Sequence, residues 1–313
     1  MKLLRRFFGP RGNREGHSVP LPPHMTPEEK RGESSPLPAP PLKTRPLEPP
    51  RPFSTLSRRI RIGIASDVGQ ARTSNQDAAL AFMASAEMAG NPPPLGFVVV
   101  ADGMGGHHDG ELASAIAVQT LARHIIDEIV IPHLDGREYS AEQRTIPEVL
   151  SDSMHAANRA VQEQVPDGGT TATCAVIRGD LAYIAHVGDS RAYLISEGNV
   201  ELITRDHSLV RRLQELGQLT AEEAEVYPHR NVLYRAIGQG ESLEVDAATR
   251  RLPPSSSLLL CSDGLWSMVS EKKMLEILGE HRDPQEVCDR LVAAANASGG
   301  PDNITVVLVQ MPD

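Results

Sequence analysis

The sequence predicts an α+β protein in which antiparallel sheets are flanked by helices. Three observations carry that prediction. Short strand-like runs between residues 170 and 203 follow one another through hairpin turns, without strict strand–helix alternation. A few helical stretches, two of them with capping boxes, interrupt the strands. Several apolar runs meet an Asp beside Gly or Asn, which brings carboxylates to strand ends.

Residues 1–59 hold 13 of the 25 prolines, a composition unable to bury enough apolar surface to offset ordering entropy, so they are expected to form a disordered basic tail. The tail opens on Lys2-Leu3-Leu4-Arg5-Arg6-Phe7-Phe8, bases mixed with large apolar side chains and suited to touch an anionic membrane surface or a partner. It lacks the apolar core and cleavage pattern of a signal peptide.

The folded domain is expected over residues 60–313. Ile60, Ile62 and Ile64 alternate onto one face of a first strand. Ala78–Met83 and Gly96–Ala101 read as the next two strands. Leu112, Ala115, Ile116, Ala122, Ile125 and Ile129 then recur at helical spacing. A second helix opens at Thr145-x-x-Glu148, with Pro147 in its first turn and Leu150, Met154, Ala157 and Val161 facing the core. Strands follow at Thr170–Ile177, Leu181–Val187, Arg191–Ile195 and Val200–Ile203. Residues 206–227 are polar and helical, with a capping box at Thr220-x-x-Glu223, and form the longest excursion between strands. A strand at Ser257–Ser262, a helix over Ser270–Leu278, a helix capped by Asp283 and a strand at Ile304–Val309 complete the domain.

Charge narrows the function. The chain carries −10 overall, but residues 60–313 alone hold 19 Lys and Arg against 36 Asp and Glu, about −17, which argues against a nucleic-acid surface. Three widely spaced cysteines, Cys174, Cys261 and Cys288, give neither a zinc pattern nor a disulfide framework and point to a reducing, cytoplasmic setting. No apolar run reaches the roughly 18 residues that span a bilayer.

Five acidic positions stand out. Val98-Val99-Val100-Ala101 runs into Asp102-Gly103-Met104-Gly105-Gly106, and Leu258-Leu259-Leu260-Cys261-Ser262 into Asp263-Gly264. Asp302-Asn303 precedes the last strand, Asp77 follows Arg72-Thr73-Ser74-Asn75-Gln76, and Asp189 lies in Val187-Gly188-Asp189-Ser190-Arg191. One such Asp is a turn. Five suggest a carboxylate cluster, which on closing must be neutralised by cations or protonated. Asp189 also has a plainer reading, an ion pair with Arg191 across the turn.

In order along the chain, Arg72-x-x-Asn75-Gln76-Asp77, Asp102-Gly103-Met104-Gly105-Gly106, Gly169-Thr170-Thr171, Val187-Gly188-Asp189-Ser190-Arg191, Asp206-His207-Ser208, Arg230-Asn231-Val232-Leu233, Ser262-Asp263-Gly264 and Asp302-Asn303 closely resemble the metal-dependent (PPM, or type 2C) serine/threonine protein phosphatases in their compact bacterial form. The resemblance covers about residues 60–311. It implies a central sandwich of two antiparallel sheets with helices on both outer faces. It implies hydrolysis of phosphoserine and phosphothreonine in proteins by a metal-bridging hydroxide. Asp102 is expected to bridge two Mn²⁺ or Mg²⁺ ions, Gly103 to offer its carbonyl to one, and Asp263 and Asp302 to complete the other. Asp77 and Gln76 are expected to hold metal-bound water, and Arg72 to bind phosphate. Gly169-Thr170-Thr171 is expected to pack beside the metals, and residues 206–238 to form a flap that selects substrates. The implied partners are phosphoproteins, including a cognate kinase and its substrates, and a monomer is the family's default.

Departures from the family pattern matter as well. Gln76 stands where many members carry Glu, so metal binding is expected to be weaker. Met104 stands where eukaryotic members place a His thought to act as acid, which leaves His107, His108 or water to protonate the leaving group. A third metal is often held through the equivalents of Asp189, Asp263 and an Asp four residues further on, and here that last position is Ser267. A pseudophosphatase should have lost metal carboxylates, whereas Asp102, Asp263 and Asp302 are all present. A dedicated phosphatase for one regulatory protein remains a second enzyme reading. The glycines at 103–106 fit neither dinucleotide spacing nor a Walker loop.

Overall fold

Two antiparallel sheets lie face to face, each with one surface turned to the other and one surface covered by helices. The computed structural model describes residues 60–85, 93–106, 108–135, 144–225, 227–229, 231–240 and 242–313. The expectations for the tail, for His107 and for Arg230 lie outside these residues.

In chain order the strands are β1 (Arg61–Asp67), β2 (Asp77–Ala84), β3 (Leu95–Met104), β4 (Gly169–Thr170), β5 (Ala172–Arg178), β6 (Leu181–Val187), β7 (Arg191–Ser196), β8 (Asn199–Leu202), β9 (Asp246–Arg251), β10 (Ser257–Cys261) and β11 (Ile304–Gln310). One sheet runs β1-β11-β10-β7-β8 and the other β2-β3-β5-β6-β9, with β4 paired to the end of β3. The helices are α1 (Asp109–Ile125), α2 (Ile131–Leu134), α3 (Ile146–Gln164), α4 (Leu209–Glu215), α5 (Ala221–Glu225), α6 (Asp263–Trp266), α7 (Glu271–Glu280) and α8 (Pro284–Ala297).

The period-two geometry of strands divides the core into layers. Val98 and Val100 of β3 meet Leu258 and Leu260 of β10 and Val307 and Val309 of β11 between the sheets. Their neighbours Phe97, Val99 and Ala101 turn outward under α1 and α3, and Leu259, Val306 and Leu308 turn outward under α7 and α8. A strand buried on both faces has no polar side to alternate with, which is why Val98-Val99-Val100 reads as an unbroken apolar run. The expected layering, α/β/β/α, is what the chain adopts.

Several elements follow their predicted physics closely. Thr145 caps α3 in a reciprocal box, its backbone N–H donating to Glu148 at 2.7 Å while its hydroxyl accepts from the Glu148 N–H. Thr220 and Glu223 make the same exchange before α5. Asp283 caps α8, accepting from Gln285 and Glu286. Gly179 and Gly198 take the left-handed conformation that their tight turns require.

Other details differ. Ile64 is 37% exposed, because β1 is an edge strand with a neighbour on one side only. The buried face of α1 is Ala113, Ile116, Ala117, Leu121 and Ile125, while Leu112 is 38% exposed. One wide π turn, Ile126–Val130, joins α1 to α2. The run expected as one strand from Thr170 breaks at Thr171, whose hydroxyl and N–H serve Asp102 instead of a ladder. β9 has no apolar alternation, and as a polar edge strand it gave no sequence signal. The three cysteines are free and buried, and burial pushes each thiol up to about 12. Among the described residues, no helix is long and apolar enough to cross a membrane.

Candidate active site

Both sheets send carboxylates to the same edge. Asp77 on β2 and Asp102 on β3 are direct register partners in one sheet. In the other, Asp263 opens α6 straight after β10, and Asp302 stands two residues before β11. β3 does not stop at Asp102, as its glycines suggested. It continues through Gly103 and Met104, paired to Thr170 and Gly169 of β4.

Asp102 is held by its backbone. Its N–H donates to Thr171 Oγ1 at 2.9 Å, and its carbonyl accepts from the Thr171 N–H at 2.8 Å and from Thr170 Oγ1 at 2.9 Å. Thr170 and Thr171 thus serve the backbone of Asp102. A Cβ on Gly103 would lie 2.1 Å from the Gly110 carbonyl oxygen and 2.6 Å from that of Gln76. Only glycine lets the end of β3 pass beneath the first turn of α1 with its backbone bare.

Asn303, quoted in a motif but given no role from sequence, organises the opposite wall. It is buried, accepts from the Gln76 N–H at 2.8 Å, and donates to the carbonyls of Val68 and Ser74 at 2.9 Å each. These bonds fix the loop that carries Arg72 and Gln76. Replacing Asn303 with alanine strands two carbonyls and one N–H, and is expected to cost about 2–4 kcal/mol in urea denaturation. It should also lower kcat, since the loop loses its anchor.

Arg72, Gln76, Asp102, Gly103, Asp189, Asp263 and Asp302 line a single cavity of about 200 Å³. Asp77 stands behind the wall, its Oδ2 accepting from Ser262 Oγ at 2.8 Å and its Oδ1 buried without a partner. Asp263 Oδ1 is likewise buried and unpartnered. Burial, followed by repulsion from Asp263 and Asp302, lifts the Asp77 carboxyl to about 7. Burial and the Asp302 charge lift Asp263 to about 6. Burial raises Asp102 and Asp189 well above the usual carboxylate range, with neighbouring aspartates adding to it.

Buried oxygens without donors, on groups strained by like charge, are a donor set for hard divalent ions. Among the described residues no three acidic, His or Cys side chains are grouped closely enough to hold a metal ion by themselves. The wall is open, which suits ions that keep water and a backbone carbonyl as ligands.

Arg72 lies on the rim, half-exposed, its Nη2 donating to Asp302 Oδ2 at 2.8 Å. Arg191 does not pair with Asp189. It grips Asp206 at 2.7 Å and stacks on Trp266, with its guanidinium carbon 3.6 Å from the ring centroid. The Trp266 indole N–H in turn donates to the Asp189 carbonyl at 3.0 Å, tying α6 to the loop that bears Asp189. Ser267 is exposed and lies outside the cavity lining. Met104 lines the cavity, and its sulfur accepts from Gln239 Nε2 at 3.7 Å. The His108 side chain is 85% exposed and outside the lining. From the expected flap, Asn231 and Leu233 reach the cavity.

Carboxylates gathered from two sheets, with a guanidinium facing them across a small open cleft, suit the class of hydrolases that work with divalent cations on phosphate esters. A family model for protein phosphatase 2C matches residues 64–304, and the chain belongs to that family, the metal-dependent serine/threonine protein phosphatases. It is 40% identical over 214 residues to the serine/threonine phosphatase stp of Listeria innocua, covering 68% of this chain and 83% of that one. It is 36% identical over 252 residues to the protein phosphatase PhpP of Streptococcus pneumoniae, covering 80% and 98%. Its fold matches the catalytic domain of the phosphatase PstP in complex with two manganese ions, with a TM-score of 0.64 and 33% identity, covering 82% of this chain and all of that one.

Proposed function

We propose that this phosphatase hydrolyses phosphoserine and phosphothreonine in proteins at the cleft described above, using two Mn²⁺ or Mg²⁺ ions. The observation that carries the proposal is the pair of buried, unpartnered oxygens on Asp77 and Asp263, within a group of carboxylates drawn from both sheets. Asp102, Asp263, Asp302 and the Gly103 carbonyl would hold the ions, with Asp77 and Gln76 holding their water. Bound there, the cations supply an acidified water and offset charge on the phosphoryl group.

The chain's own residues do the rest. Arg72 releases Asp302 for the substrate, its planar fork matching two phosphate oxygens. Asp77, steadied by Ser262 behind the wall, would accept through its buried Oδ1 from a water held on the ions. Met104 has no proton to give, so the proton for the leaving serine or threonine oxygen comes from solvent at the open rim. A third cation at Asp189 would lack a carboxylate at Ser267 and would bind weakly.

The test is turnover of para-nitrophenyl phosphate and of a phosphothreonine peptide, with Mn²⁺ and with EDTA. Mn²⁺-dependent release of phosphate from both is expected. Folded, Mn²⁺-loaded protein that turns over neither would overturn the proposal. Arg72→Ala is expected to lower kcat/KM about ten- to a hundredfold, mostly through KM, with Arg72→Lys recovering part of the loss.

At the level of partners, the reading extends to a cognate serine/threonine kinase and its substrates in the cytoplasm. The catalytic unit would be a monomer formed by residues 60–313, with residues 1–59 as an appended tail that contacts a membrane surface or partner.

A further inference from the structure

A second and larger cavity, of about 480 Å³, opens on the other side of the segment that walls the active site. Leu233 lines the catalytic cavity, and Tyr234, the next residue, lines this one. Arg205, Arg212 and Arg235 all line it, with Tyr234 and Ser242. Three guanidiniums gather at one cavity of a domain whose net charge is about −17, each within reach of a carboxylate.

The segment between the two cavities is laid against residues 207–209: Ser208 and Leu233 form an antiparallel bridge, and the Leu209 N–H donates to the Val232 carbonyl at 2.8 Å. The Tyr234 N–H donates to the His207 carbonyl at 2.9 Å, and the His207 N–H donates to the Gly188 carbonyl at 2.7 Å. The Gly188 N–H returns a bond to His207 Nδ1 at 3.1 Å, one residue from Asp189. An occupant of the arginine cavity therefore leans on the same backbone that shapes the catalytic wall.

We propose that this cavity is a subsite for an acidic segment of the substrate phosphoprotein, flanking the phosphorylated residue. The inference rests on the phosphatase reading above and adds to it a class of substrate sequence. Glu244 and Asp246 also line the cavity, and both pair with Arg235. Arg205 pairs with Glu215, and Arg212 lies 3.8 Å from the same carboxylate. Glu244 is 71% exposed, and an exposed pair of this kind is worth little, so a substrate carboxylate can take its place on Arg235 at small cost. Arg212, loosely engaged and half-exposed, is the guanidinium most available to an incoming anion. Asp246 stays engaged with His207 at 3.2 Å and keeps the cavity floor in place.

The test compares two phosphothreonine peptides, one carrying three glutamates a few residues from the phosphate on either side, the other carrying glutamines there. The wild-type KM is expected to be about threefold lower or more for the glutamate peptide, the size of one exposed charge contact. In Arg212→Glu and in Ser242→Glu, both surface changes, the ratio of the two KM values should approach one. It should do so for wild type at about 0.5 M salt as well. A wild type that does not distinguish the peptides, or variants that keep the wild-type ratio, would overturn the subsite. Fluorescence anisotropy of the unphosphorylated glutamate peptide reads the cavity without any turnover. Weaker binding by Arg212→Glu than by wild type supports the subsite, and equal binding overturns it. Failure to hydrolyse the glutamine peptide and para-nitrophenyl phosphate would count against the phosphatase reading alone.

Discussion

Asp102→Ala is expected to reduce Mn²⁺-dependent turnover of para-nitrophenyl phosphate by at least about a thousandfold, the scale set by losing metal-ion stabilisation of several kcal/mol. Asp102 sits where the register of β2 and β3 sets it beside Asp77, and its backbone is fixed by Thr170 and Thr171. Alanine leaves that backbone scaffold in place, so the circular dichroism of the variant should match wild type. The stability effect should run against the usual sign for a core truncation. Removing one carboxylate from a repelling buried group relieves the metal-free protein, whose midpoint in urea should stay level or rise. Isothermal titration with Mn²⁺ should show weaker binding by Asp102→Ala. Wild-type turnover by a folded Asp102→Ala would sink the assignment of the cleft.

The second large effect is a pH dependence confined to the metal-free protein. Asp77, Asp102, Asp189 and Asp263 all hold their protons more tightly in the folded chain than in the unfolded one. Well below pH 3.8 both states are protonated and the groups carry no penalty. As pH rises, the unfolded chain ionises first, so stability falls until the folded carboxyls ionise too. For Asp77, held at about 7, the span from pH 4 to 7 corresponds to on the order of 4 kcal/mol. Urea melts in EDTA should therefore be more stable at pH 5 than at pH 8. Saturating Mn²⁺ should remove or reverse the trend, because the ions bind the ionised form. A flat profile in EDTA would mean that the carboxylates do not crowd one another in solution.

Much of this was legible in the sequence, for reasons that differ between elements. Caps are local, and Thr145 with Glu148, Thr220 with Glu223, and Asp283 each declare a helix start within four residues. The doubly buried strands β3, β10 and β11 are visible because nothing polar interrupts them. The carboxylates were visible because the same ending recurred on several strands. The failures have physical reasons too. Sequence periodicity placed Leu112 on the buried face of α1, but sheet and helix contacts choose Ala113 and Ala117, small side chains that let the helix sit close. β9 is polar, and its place is set by pairing with β6. Asp189 and Arg191 are close in sequence, yet Asp206, brought in by the fold, takes the arginine. Asn303 shows the deepest gap. A single Asn beside Asp302 gives no sign that it will hold Val68, Ser74 and Gln76, residues more than 220 positions away.

Asp77 and Asp102 come from one sheet, Asp263 and Asp302 from the other, so the cleft exists only once the two halves have met. Catalysis is then a late reporter of assembly. During refolding, helical and strand signals can return while each sheet is still forming alone, but phosphate release has to wait for the sandwich to shut. The lag between the two signals would time the docking of one half of the molecule onto the other.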